Sequence, residues 1–323
     1  MPYYLIRRLG QLALMLWLVS LLTFGMFYAL PSGDPIARFQ VRTATAETRA
    51  QAEHALGLDK PWYAQYARFA QGLVPWPGMY LKEDVYYSYK NRIPVLEEIK
   101  RRFPVSAVMV IGAAVLWMGV SILVGLLTAV RPGGVFDRAT QGLGLLFISI
   151  PSFVIGFVLL YVFWFKAGML PGTGLPPGES IWESILAGRF VLPSTALALT
   201  FIALYSRTTR RHVLGMLRSD AARTARAKGL PERVVVGKHA LRGALVPLVT
   251  MFGLDFGALL SGTITLEVVF NMPGLGQYAL QAVKSTDVPA VMGVTVFAAT
   301  IVLFANLIVD VLYAYLDPRI RRA

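Results

Sequence analysis

Residues 218–243 read RSDAARTARAKGLPERVVVGKHALRG. Seven basic side chains, Arg218, Arg223, Arg226, Lys228, Arg233, Lys238 and Arg242, face only Asp220 and Glu232. The composition is helix-prone, and Gly229-Leu230-Pro231 divides it. A glycine takes the left-handed conformation that ends a helix, and a proline suits the first turn of the next. The stretch therefore predicts two short helices joined at a fixed angle. Ala221, Ala222, Ala225 and Ala227 give the first of them a small-residue surface suited to a partner's groove. On both sides the chain turns apolar. A rigid basic hairpin between such segments is the part of a membrane protein that meets a water-soluble partner.

The rest of the chain agrees with that setting. Of its 323 residues, 56% are hydrophobic and 15% charged, a composition typical of a polytopic membrane protein. A spanning helix needs about 20 apolar residues. Uncharged runs of that kind cover 9–33, 103–130, 139–165 and 288–309; 190–206 is shorter, and 243–266 is interrupted only by Asp255. Six membrane helices are expected, in an all-α fold. Pro151, Pro193 and Pro247 fall within three of them, which membrane helices tolerate when neighbours satisfy the freed carbonyls. The run 9–33 is too long for the apolar region of a cleavable signal and is read as the first membrane helix.

Six spans put both termini on one side. The side with the termini and residues 207–242 carries seventeen basic residues against four acids, and the other fourteen against eleven. Most of the latter lie in the long segment 34–102, where the positive-inside rule has little force. Both termini and the loop 207–243 are therefore expected in the cytoplasm. The net charge of +13 reads as a topology signal and not as nucleic-acid binding. No cysteine is present, so disulfide and thiol chemistry are excluded.

The expected organisation is a cytoplasmic start and first span over 1–30, an external segment over 31–104, and a core over 105–323 with spans two to six. The external segment predicts helices over Thr45–Leu56, Trp62–Leu73 and Val95–Arg102, with a break at VPWPG, 74–78. Tyr80, Tyr86, Tyr87 and Tyr89 have two readings, a membrane interface or a contact surface for an external partner. Further short helices are expected over Ser180–Leu186 and after Gly274 and Gly276.

No enzyme signature is present. His54, His212 and His239 have no metal-ligand spacing, and Gly237-Lys238 lacks the upstream glycine of a phosphate loop. No catalytic or metal-binding residue is assigned. Uphill transport by such a chain would draw on an ion gradient or on another subunit.

The stretch RTARAKGL…HALR is similar to the coupling loop, the EAA motif, of bacterial ABC-importer permeases, in the variant of the dipeptide/oligopeptide (and nickel) family. Arg223 stands where the general motif has glutamate. YLIRRLG, LPSGDP, LGLDKPWYAQY, EVVFNMPGLG and LDPRIR match that family in order along almost the whole chain. The resemblance is to the subunit with a long external segment after its first helix. Residues 79–92 depart from it as an insertion of about ten residues beyond the short turn that family has there.

The resemblance implies a type I importer permease fold in a bacterial inner membrane. It implies a second homologous permease, two cytoplasmic ATPases that use ATP and Mg, and an extracytoplasmic substrate-binding protein. This chain itself would bind no cofactor and would contact membrane lipid but no nucleic acid. Arg223, Thr224, Ala225, Arg226, Lys228, Gly229, Leu230 and Glu232 would form the ATPase-coupling element. Di- or oligopeptides are the implied substrates. A self-sufficient secondary transporter or channel is the alternative; no inverted repeat of the kind that would support it is evident. A membrane scaffold whose working part is the external segment is a third reading.

Charges inside spans are costly and face cavities or partners. Asp255, mid-span, has two readings, a substrate-pathway carboxylate or one hydrogen-bonded for structure. Asn306, one turn before Asp310 in span six, joins it on the substrate-pathway list. Glu267 is read as an interfacial charge near the outer surface.

Overall fold

The computed structural model describes residues 2–26, 60–73, 81, 85–88 and 90–316. The chain forms α1 (Pro2–Phe24), α2 (Trp62–Gln71), strands β1 (Tyr87–Ser88) and β2 (Ile93–Pro94), α3 (Val95–Val130), α4 (Val135–Ser149) and α5 (Ser152–Leu159, continued by a wide π turn over Leu160–Lys166). Then come α6 (Ile181–Leu186), α7 (Val191–Leu217), α8 (Asp220–Ala227), α9 (Glu232–Val234, continued by a π turn over Val235–Ala240), α10 (Leu241–Val269), α11 (Leu275–Lys284) and α12 (Val288–Leu316). The expected helix over Thr45–Leu56, the LPSGDP and VPWPG turns, Tyr80, Tyr89 and the closing LDPRIR lie wholly or mostly outside the described residues.

Among the described residues four helices are long and apolar enough to cross a membrane: Ile6–Phe24, Val95–Val130, Glu232–Gly253 and Val288–Val309. The pair Val135–Ser149 and Ser152–Lys166, bent by 109°, raises the number to five if it is one broken span. The sequence reads six, and α7 is the difference. Of its 27 residues, only Val191–Ser206 precede Arg207, about 24 Å of uncharged helix. The bend falls at Pro151, which starts α5 in an extended conformation. The uncharged run 139–165 is thus two helices at an angle and not one straight rod. Val95–Arg102 is likewise the start of α3 and not a separate helix.

The chain divides into two compact units, Met1–Pro104 with Gly274–Leu307, and Val105–Pro273 with Ile308–Ala323. The first has a core of Phe69, Tyr86, Val95, Ile99, Tyr278 and Met292. Its two strands form an antiparallel ribbon that pairs Tyr87 with Pro94 and Ser88 with Ile93. Tyr86 is wholly buried, 5.8 Å ring to ring from Phe69. Neither sequence reading of this tyrosine holds: it is a core residue. Ser88 donates to the Asp287 carboxylate, and Lys90 donates to Thr286 Oγ1 at 3.1 Å. Asp287 also accepts from the Ala290 amide at 3.4 Å, so the ribbon is tied to the residue that caps α12.

The second unit is arranged around α7, which packs against α4, α5 and α10. Trp117, Leu197, Tyr205, Leu248, Leu259 and Leu266 fill its core. Two glycines of α3 allow close approach to α7: a Cβ at Gly112 would come within 2.7 Å of Ser194 Oγ, and one at Gly125 within 2.8 Å of the Ser206 carbonyl. Such small-residue contacts are how helices pack in lipid, where burial of apolar surface between helices supplies little driving force. Glu267, read as interfacial, is fully buried and accepts from Ser106 Oγ at 2.6 Å. A polar partner inside the helix bundle holds this carboxylate there.

Candidate functional site

The basic stretch forms a hairpin between α7 and α10. Ser219 starts α8 with extended backbone. Its hydroxyl donates to the Met216 carbonyl at 2.6 Å and accepts from the Ala222 amide at 3.4 Å, satisfying an amide that has no partner within the helix. At the other end Gly229 takes φ +76°. The Gly229 amide donates to the Arg226 carbonyl at 2.9 Å, and the Leu230 amide to the Ala225 carbonyl at 3.3 Å. That pair of bonds is the Schellman termination that a left-handed glycine permits. A Cβ at Gly229 would meet nothing within 4 Å. Backbone conformation, and not space, is therefore what requires glycine here.

Beyond Pro231 the structure differs from the expected pair of short helices. α9 runs through the wide turn Val235–Ala240 into α10 without leaving helical backbone. The hairpin therefore joins a short helix to the extended foot of a long one.

The two faces of α8 do different things. Ala222 and Ala225 are buried against Val235 and Leu217, so half of the alanine surface packs on its own chain. Ala221, Arg223, Thr224, Ala227, Lys228, Gly229 and Leu230 are exposed. Arg223 pairs with Asp220 at 3.0 Å. Lys228 makes no ion pair among the described residues. Arg226 closes the hairpin instead of projecting from it. Its Nε and Nη2 donate to the two oxygens of Glu232 at 3.0 and 2.7 Å, and its Nη1 donates to the Leu217 carbonyl at 3.0 Å. One planar fork thus joins the end of α7, the body of α8 and the start of α9. Donation to the Glu232 carboxylate raises the Arg226 pKa further, so its charge is fixed.

The predicted coupling residues therefore lie together, but with unequal roles. Ala225 is internal, Arg226 and Glu232 are a clamp, and Arg223, Thr224, Lys228 and Leu230 form the outward face. Ser219 and Leu217 were missed by the sequence reading. Ser219 had a signal, a serine directly before a helix-prone run; the Leu217 carbonyl had none.

A second lock lies where α7 leaves its uncharged run. Arg210 Nη2 donates to Asp137 Oδ2 at 2.7 Å, and the same oxygen accepts from the Gly133 amide at 2.8 Å. Arg207 Nη2 donates to the Gln141 carbonyl at 3.0 Å. These bonds join the turn before α4, and α4 itself, to the helix that carries the hairpin.

Asp255 sits on α10 and accepts from the Tyr205 hydroxyl at 2.6 Å. Tyr205 is wholly buried, and its ring stands edge-on to Trp117 at 4.5 Å. Phe201 and Phe252 lie 4.6 and 4.8 Å from the same indole. Asn306 lies exposed on α12 in the other unit.

Residues 121–322 match the family described as "Binding-protein-dependent transport system inner membrane component", and residues 1–110 match its N-terminal membrane-component family. The chain is 34% identical over 344 aligned positions to the dipeptide transport system permease protein of Escherichia coli (strain K12), covering 99% of each chain. It is 34% identical to the di/tripeptide transport system permease protein of Pseudomonas aeruginosa (strain UCBPP-PA14), covering 98% of each. Against the glutathione transport system permease protein of Escherichia coli (strain K12) it is 36% identical over 318 positions, again with 98% of each covered.

Proposed function

This chain belongs to the family of binding-protein-dependent transport system inner membrane components, a transport subunit without an ATPase site of its own, and from that membership we propose that it is one half of the membrane path of a peptide importer. A second permease of the same family would form the other half. Two cytoplasmic ATPases would supply the energy from ATP and Mg, and an extracytoplasmic binding protein would deliver the substrate. The relatives named for dipeptides and di/tripeptides, matched end to end, support peptides as the cargo.

The observation that carries the coupling role is the hairpin Ser219–Pro231. It is rigidly terminated, closed by Arg226, and continuous with α10. Conformational coupling needs such a lever, whose position biases two arrangements of the membrane core. Its outward face, Arg223, Thr224, Lys228, Gly229, Leu230 and their neighbours, is proposed to seat on an ATPase. Asp255 is proposed to order the α7–α10 pair through Tyr205; Asn306 remains the pathway candidate. We place both termini and this hairpin in the cytoplasm, with six spans, α7 among them. The excess of basic residues on that side supports this orientation.

Reconstitution tests the reading. The chain is co-expressed with the ATPase and second-permease subunits of its own organism, and the purified assembly is placed in vesicles. ATP-dependent uptake of labelled dipeptide, present only with the binding protein, is expected. Uptake by this chain alone, driven by an ion gradient, would contradict the proposal.

A further inference from the structure

Arg207, Arg210 and Arg211 line a cavity of about 390 Å³ together with Gln141, Leu204 and Thr208. The first two guanidinium groups are already oriented, Arg207 by the Gln141 carbonyl and Arg210 by Asp137. Arg211 is exposed and donates to Thr208 Oγ1 at 3.4 Å. Asp137 neutralises one of the three charges, so the cavity wall keeps a net positive charge. Two guanidinium groups already held in place, with the exposed third beside them, suit a polyvalent anion.

The surroundings say which anion. The arginines follow directly on the uncharged run that ends at Ser206, the depth at which basic side chains meet lipid headgroups. Leu204, 41% exposed, forms an apolar wall of the same cavity, and α4 exposes Leu143, Leu145 and Leu146. A polar end with phosphate-binding donors next to an apolar strip matches a headgroup followed by acyl chains. A guanidinium fork suits phosphate oxygens better than a point charge does. We infer that this cavity binds the phosphate of an anionic phospholipid. The site fixes α4 against α7 just above the hairpin, where lipid occupancy would stiffen the lever.

The inference stands apart from the import reading, because lipid retention is measured without transport. The assembled importer is reconstituted in phosphatidylcholine bilayers containing about one-fifth phosphatidylglycerol, extracted in mild detergent, and its retained lipid identified by native mass spectrometry. Wild type is expected to retain phosphatidylglycerol over phosphatidylcholine. The double variant Arg207→Gln/Arg211→Gln is expected to lose that preference by about twenty-five-fold, given a factor of about five per basic residue at a membrane surface. A melting temperature equal to wild type in phosphatidylcholine alone shows that this variant is folded; if it is not, Arg211→Gln alone carries the test. Equal retention of the two lipids by wild type, or undiminished preference in the variants, overturns the site. Displacement of phosphatidylglycerol by millimolar inorganic phosphate would assign the cavity to a soluble phosphate and overturn the lipid assignment.

Discussion

The Arg226 guanidinium spans the Gly229 turn to reach both carboxylate oxygens of Glu232, at 3.0 and 2.7 Å. The pair is exposed, and an isolated exposed ion pair contributes little to stability. Its effect is geometric: it sets the angle between α8 and the foot of α10. Arg226→Gln and Glu232→Gln are therefore expected to leave the melting temperature of the complex nearly unchanged while lowering peptide uptake per ATP hydrolysed. The two changes together are expected to cost no more than Arg226→Gln alone, which already removes the contact that Glu232→Gln weakens. Fully additive losses in a double-mutant cycle would show that the residues act on different partners.

Close approach of α3 to α7 rests on Gly125, where a Cβ would lie 2.8 Å from the Ser206 carbonyl. A backbone atom cannot turn aside as a side chain does. Gly125→Val is expected to destabilise the second unit by about 1–3 kcal/mol, the usual cost of overpacking. Gly142→Ala, where a Cβ meets nothing within 4 Å, is the control. Thermal denaturation in detergent compares them, and equal melting temperatures would show that the helices separate freely at this point.

The Tyr205 hydroxyl is a donor to Asp255, from within an aromatic cluster. Tyr205→Phe keeps the ring packing and removes the bond, with an expected loss of about 1–3 kcal/mol. If Asp255 serves structure through that bond, Asp255→Asn keeps near-normal uptake once expression is matched. Abolished uptake in Asp255→Asn at normal stability would move Asp255 into the substrate path.

The β1–β2 ribbon is anchored by the buried bond from Ser88 to Asp287. Ser88→Ala leaves that carboxylate short of a donor, with an expected loss of about 1–3 kcal/mol. Uptake per folded molecule at low temperature is expected to stay normal, as befits a brace for the start of α12. A selective loss of stimulation by the binding protein, without loss of stability, would instead mark the ribbon as a contact surface.

Much of this architecture can be read in the chain, because the readable features are local. Gly229 before Leu230-Pro231 announces a left-handed stop, and φ +76° is what the structure has. The short helix expected over Ser180–Leu186 forms as α6, Ile181–Leu186. The errors are long-range. Nothing near Tyr86 in sequence says that Phe69 and Val95 will enclose it. Glu267 is an interfacial charge by position, yet it is buried, and Ser106, on another helix, donates to it. Uncharged length over 139–165 cannot reveal a bend, although Pro151 marks where one is possible. Within the hairpin, composition gave the basic face correctly but not that Arg226 turns inward to Leu217 and Glu232.

Coupling through the hairpin is tested by a substitution at Gly229, where only the backbone is challenged. A β-branched residue there must adopt a left-handed conformation at a cost of about 1–2 kcal/mol or surrender the turn, whereas asparagine tolerates it. The measurement is ATPase activity of the reconstituted importer with and without loaded binding protein. Gly229→Val is expected to retain basal hydrolysis and assembly while losing its stimulation and peptide uptake, and Gly229→Asn to keep most of both. Full stimulation and full uptake in Gly229→Val would contradict a coupling role for this hairpin.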